Sequence, residues 1–150
     1  MRLLLGPALE GVLQQPLLYM AAGVALLIAL NVYAWYIDQR WSIARLGWVL
    51  YLGAVSAWEE WVFRLAVPYF VESQGGPLAV AVVVTNLVFA VAHYFTLRWK
   101  WSWCVLAFLF GMGLSRNLGI HFDLALIVGI HWAATFINTP RSPGARSIRT

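Results

Sequence analysis

The segment Trp58-Glu59-Glu60-Trp61-Val62-Phe63-Arg64 (WEEWVFR) decides how this chain is read. It places three ionisable groups inside an apolar run, about Leu46–Phe70, that is long enough to cross a bilayer. The whole chain is of that character: 62% of its 150 residues are hydrophobic and only 11% are charged. A soluble domain of this size is far more polar, so the composition points to an integral membrane protein. A charge at mid-membrane costs roughly 2.5–3.5 kcal/mol on insertion scales, so three in one helix need partners, a protein face or water.

Working outward, four further runs suit the same solvent. They are about Leu17–Ile37, Pro77–Phe95, Trp103–Leu114 and Ile120–Ile137, the fourth of the five spans being short. The connections DQRWSIAR, ESQGG, TLRWKWS and SRNLG are polar or carry glycine. The expected fold is therefore all-α, a bundle of about five transmembrane helices in one domain, residues 1–138. The start, MRLLLGPALEGVLQQP, is broken by Gly6, Pro7, Glu10 and Gly11. It reads as a short interfacial helix rather than a cleavable signal. The end, 139–150, reads as a disordered basic tail.

Outside the spans, Arg2 and Arg116 fall on one side. Arg40, Arg45, Arg98, Lys100, Arg141, Arg146 and Arg149 fall on the other. The richer side is expected to be cytoplasmic, with the N-terminus outside and the C-terminus inside. Trp35, Trp41, Trp99, Trp101 and Trp103 cluster at the same boundary, as an interfacial belt does. This scatter of basic residues suits orientation in a lipid bilayer and not nucleic-acid binding. The single cysteine, Cys104, excludes an intrachain disulfide and a cysteine-based metal site, and reads as a small apolar filler.

Helical spacing sorts the charges. Glu60 and Arg64 are four apart and share a face, so they can pair. Glu59 lies ~100° round the helix from Glu60 and is less well neutralised. A carboxylate in that position suits taking a proton from water. A purely structural ion-pair knot is the rival reading of the same residues. Asn86, Phe89 and His93 recur on one face of the third span, and His131, Thr135 and Asn138 on one face of the fifth. A lone membrane histidine is most often a hydrogen-bonded structural residue. Two of them with polar companions, beside a glutamate pair, point to a shared interior site in the cytoplasmic half of the bilayer. Asn31 lacks such company and reads as an interhelical hydrogen bond. Gly111 and Gly113 read as points of close helix approach.

Glu59-Glu60-x-x-x-Arg64, Phe89-x-x-x-His93 and His131, in that order on separate hydrophobic segments, resemble the three motifs of the CPBP (Abi) family. These are membrane-embedded proteases related to the type II CAAX prenyl endopeptidase. The resemblance covers about Trp58 to Asn138, within a motif-bearing core of about 46–138. It implies a glutamic-type endopeptidase in which Glu59 is the general base and His93 orients and activates the attacking water. His131, with Thr135 or Asn138, stabilises the negative oxygen of the tetrahedral intermediate. Glu60 and Arg64 hold the base's helix in register, and Phe89 packs on His93. The third motif departs from the family pattern: the asparagine expected four residues after the histidine is Thr135 here, and Asn138 comes later. The resemblance also implies a membrane-anchored protein substrate cut near the membrane end, such as a C-terminal sorting signal of the JDVT type or a CAAX-like segment. It implies a bacterial inner (plasma) membrane. No cofactor is expected. Zinc on the glutamate and histidines is the nearest rival. A bis-histidine haem protein and a non-catalytic binding module or proton relay are others.

Overall fold

The computed structural model describes residues 6–141. The tail segment 142–150 and residues 1–5, with their expected disorder and interfacial character, lie outside the described residues. Among the described residues the structure is helical, with no strand. A helical turn at 6–8 leads into α1 (Glu10–Gln14). It is followed by α2 (Pro16–Asp38), α3 (Ile43–Glu60), a π-helical turn (Trp61–Ala66) and α4 (Val67–Ser73). Then come α5 (Leu78–Leu97), α6 (Trp101–His121) and α7 (Leu124–Asn138).

Three helices, α2, α5 and α6, are long and apolar enough to cross a membrane. The rod from α3 through α4 and the shorter α7 cover the second and fifth of the expected runs as helix. Thirty-six large hydrophobic side chains among the described residues face outward, which in a lipid solvent is their favoured position. The sixth helix corrects one expectation. The run Ser115–Gly119 is not a connection but lies inside α6, which spans 21 residues instead of ending at Leu114. Leu114 and Leu118 are both buried four apart on its inner face, and that packing outweighs the turn-forming composition between them.

The α3–α4 rod stays helical through its charges, but not as a regular α-helix. Pro68 has no N–H to offer the carbonyl of Arg64, and its ring crowds that carbonyl. The chain answers by widening one turn, so that Val67 N–H donates to Val62 O, five residues back. A π turn of this kind shifts the register of every side chain on it, here including Arg64.

Two apolar layers bracket the middle of the bundle. One joins Leu65, Leu114, Leu118, Leu124 and Ile127, with Ala8 beneath. The other joins Leu30, Ala34, Val49, Leu52 and Phe136. Along the α3–α4 rod the stretch between the layers holds Ser56, Glu60 and Arg64, and along α7 it holds His131, all buried. α7 lies closely on α3 because Gly53 leaves room for Trp132. A Cβ at Gly53 would stand 2.9 Å from Trp132 Cε2. The indole N–H then donates to Val49 O at 2.8 Å, which fixes the rotation of α7 and turns the neighbouring His131 toward the charged rod.

The two ends of the bundle are tied separately. At one, Asp38 at the end of α2 pairs with Arg45 and, at 2.9 Å, with Arg141, while Trp48 Nε1 donates to Thr139 O at 2.9 Å. At the other, Asp123 caps α7 through Leu126 N–H at 3.0 Å and accepts from Tyr19 OH. Asn31 corrects another expectation: its amide donates to Leu27 O within its own helix and makes no interhelical bond.

Candidate active site

α3 delivers Glu59 and Glu60 on adjacent faces. Glu60 is fully buried, and the Glu59 side chain is 22% exposed. Glu60 Oε1 lies 3.4 Å from Arg64 Nη1 and 2.6 Å from His131 Nδ1. A carboxylate only accepts, so Nδ1–H of His131 donates to it. That contact sets the tautomer of the ring and aims Nε2 outward, where it stands 3.6 Å from Glu59 Oε2. The imidazole therefore lies between two carboxylates, one buried and bonded, the other at the edge. Sequence spacing gave no sign of the Glu60–His131 bond, because the partners are 71 residues apart.

α5 supplies the second imidazole. His93 Nδ1 faces Phe89 O at 2.8 Å, one turn back, so the ring donates there and presents Nε2 as an acceptor. Phe89 is the common wall of the site. Its ring centroid lies 4.4 Å from that of His93 and 5.9 Å from that of His131, and the Arg64 guanidinium stacks 4.0 Å over it. Both histidines thus meet on one phenyl ring. Phe110 of α6 closes the other side of His131 at 6.1 Å.

The outer side of His93 is covered by a residue that sequence reading assigned only to a membrane belt. Arg98 takes a left-handed conformation at φ 53° and ends α5, folding Trp99 back over the imidazole at a centroid distance of 4.7 Å. A non-glycine residue with that φ was not visible in the pattern TLRWKWS.

Trp58 is largely exposed and packs on the half-buried Trp61 at 5.1 Å. Thr135 is half-buried one turn after His131. Asn138 is exposed, and its amide donates to Ala134 O at 3.0 Å in its own helix. Gly111 is buried against Asn86 and Arg64, a true close approach, whereas Gly113 has no atom near where a Cβ would stand. Only the first of the two glycines serves as expected.

The shared interior site expected from sequence is a packed cluster, in which Glu59 is more exposed than Glu60 or His131. Two clefts stand out, of about 560 Å³ and 500 Å³, and neither contains the Glu/His group. The first is an apolar groove between α2 and α3, and the second a polar hollow between α1 and the start of α7. Access to the cluster is at the Glu59 edge. Among the described residues no three His, Cys, Asp or Glu side chains are set to share a metal ion.

The fold is thus an all-α membrane bundle in which His131 stands between Glu60 and Glu59, and His93 shares the Phe89 wall with it. The family model described as type II CAAX prenyl endopeptidase Rce1-like matches residues 39–140, and the chain belongs to that family. No curated protein and no solved structure matches the chain.

Proposed function

We propose that the protein is a glutamic-type intramembrane endopeptidase in which Glu59 activates water against a peptide bond. The observation that carries this reading is the contact series Glu60–His131–Glu59, in which only the last member reaches the edge of the fold. The family supports a CAAX-type membrane protease acting on a protein substrate at the bilayer.

In this reading a water enters at the Glu59 edge and is held between its carboxylate and His93 Nε2. Glu59 takes one proton as the hydroxide oxygen attacks the scissile carbonyl. The carbonyl π electrons move to oxygen, and the resulting oxyanion is met by the His131 imidazole, whose positive form is supported by Glu60. Protonated Glu59 then returns its proton to the leaving amine as the C–N bond breaks. Thr135, on the same face of α7 as His131, is the better second donor, because the Asn138 amide is engaged by its own helix. The Glu60–Arg64 pair fixes the charge on the buried side so that Glu59 remains the group free to exchange protons.

The substrate in this reading is a membrane-anchored protein cut near its membrane end, as in a C-terminal sorting or CAAX-like segment. The enzyme sits in a bacterial inner membrane with its C-terminus in the cytoplasm. Co-expression of the wild type or Glu59→Gln with candidate anchored proteins, followed by mass spectrometry of new C-termini, tests the activity. New C-termini with the wild type alone are expected. The same C-termini with Glu59→Gln, in equal yield, would falsify the assignment of the base.

A further inference from the structure

Asn86 is fully buried on α5, two turns before His93. Its amide nitrogen donates to Val82 O at 2.9 Å and to Ser115 Oγ at 2.9 Å. A backbone carbonyl can only accept, so Val82 fixes the nitrogen on that side and turns Oδ1 away. That oxygen has no hydrogen-bond partner. It faces Gly111 of α6, where an added Cβ would collide with it and stand 2.7 Å from Arg64 Nη2. Arg64 is itself 1% exposed, and none of its guanidinium nitrogens has a well-aligned hydrogen bond. Its contact with Glu60 is an ion pair at 3.4 Å. An unmet acceptor and unmet donors thus face one notch, kept open by the missing side chain of Gly111. Buried polar groups of this kind seek each other.

We infer that Asn86, seated by Ser115 and admitted by Gly111, is a positioning residue that holds the Arg64 guanidinium back and so leaves Glu60 free to bind His131. The inference rests on the reading of Glu60 and His131 as parts of the peptidase site. Without the Asn86 oxygen the guanidinium is drawn further onto Glu60, whose Oε2 is buried without a partner, and pulls that carboxylate away from His131. The imidazolium then loses support. The charged and titratable groups facing His131 are Glu59 and Glu60 from α3, Arg64 from the π turn, and His93 across Phe89 from α5. From α6 the ring meets Phe110, and α2 presents Tyr33 to Phe136 further along α7.

The test uses the purified full chain with isotope-labelled imidazoles, the His131 resonance being identified by its loss in His131→Ala. In Asn86→Leu the His131 titration midpoint is expected to fall by about half a pH unit or more. The same variant should lose ~10-fold or more in kcat, with KM little changed, the size of a charge-assisted hydrogen bond. Ser115→Ala, which removes one of the two anchors of the amide, should shift the midpoint the same way and less. A lowered melting temperature with an unmoved midpoint and kcat would show that Asn86 only packs, and would overturn the inference, as would an upward shift. Should Asn86→Leu fail to fold, Ser115→Ala decides alone, and no shift there overturns it. The midpoint is read without any cleavage. A protein that cuts nothing therefore refutes the peptidase reading while leaving this coupling separately measured.

Discussion

Glu60→Gln separates the two jobs that one buried carboxylate performs. Glu60 is wholly shielded from solvent and is shared by Arg64 and by His131 at 2.6 Å. Removing its charge leaves Arg64 as an uncompensated buried cation, a loss of about 3–5 kcal/mol in comparable sites. Spread over a chain of this length, that lowers the melting temperature on the order of 10 °C. It also replaces an obligate acceptor by an amide that can offer N–H to Nδ1. The imidazole then loses a charge-assisted bond of ~1.5–3 kcal/mol, and its tautomer is no longer fixed. A triad histidine whose carboxylate becomes an amide loses up to ~10⁴ in kcat. The expectation here is a loss of ~10²–10⁴ in kcat together with lower stability. The double variant Glu60→Gln/Arg64→Met tells the two effects apart. It removes the stranded cation and should recover most of the melting temperature, but no activity, because His131 still lacks its carboxylate. Detergent-solubilised protein, a quenched peptide substrate and a thermal unfolding scan supply both readouts. Full kcat in Glu60→Gln, or activity restored along with stability in the double variant, refutes the reasoning.

Gly53→Ala should destabilise the fold by about 1–3 kcal/mol, because its Cβ would press on the Trp132 indole that fixes α7; an unchanged melting temperature would show that the contact yields. Thr135→Val is expected to lose ~10²–10³ in rate as an oxyanion donor would, and Asn138→Ala less than about threefold. The reverse order, read from kcat on the same substrate, would move the role to Asn138. Strong chelators should leave activity unchanged, since each histidine has one nitrogen already engaged, by Glu60 and by Phe89 O; activity lost to chelation and restored by zinc would favour the metal rival.

Much of this architecture was legible because lipid imposes simple rules. Long apolar runs and the polarity of their connections placed four of the five helical stretches within a few residues of their observed limits, and the i,i+4 spacing gave the Glu60–Arg64 pair. Three features were not legible, each for a physical reason. Ser115, Arg116 and Asn117 look like a turn in isolation, but the bond from Asn86 and the buried Leu114 and Leu118 hold them in α6. The link from Glu60 to His131 depends on how α7 is rotated, which Gly53 and Trp132 decide by packing. The cover of Trp99 over His93 depends on one left-handed residue at Arg98, a conformation that composition does not announce. Gly113 and Asn31 show the converse: small and polar residues in a span suggested helix contacts that the packing does not make.

The central claim is that Glu59 and His131 act on one water and one carbonyl as a unit. Its most direct measurement is a double-mutant cycle on kcat with Glu59→Gln, His131→Ala and the pair together, each checked for folding. Groups that work as a unit give a double variant no slower than the worse single one. Losses that multiply, or a single variant at the wild-type rate, contradict it.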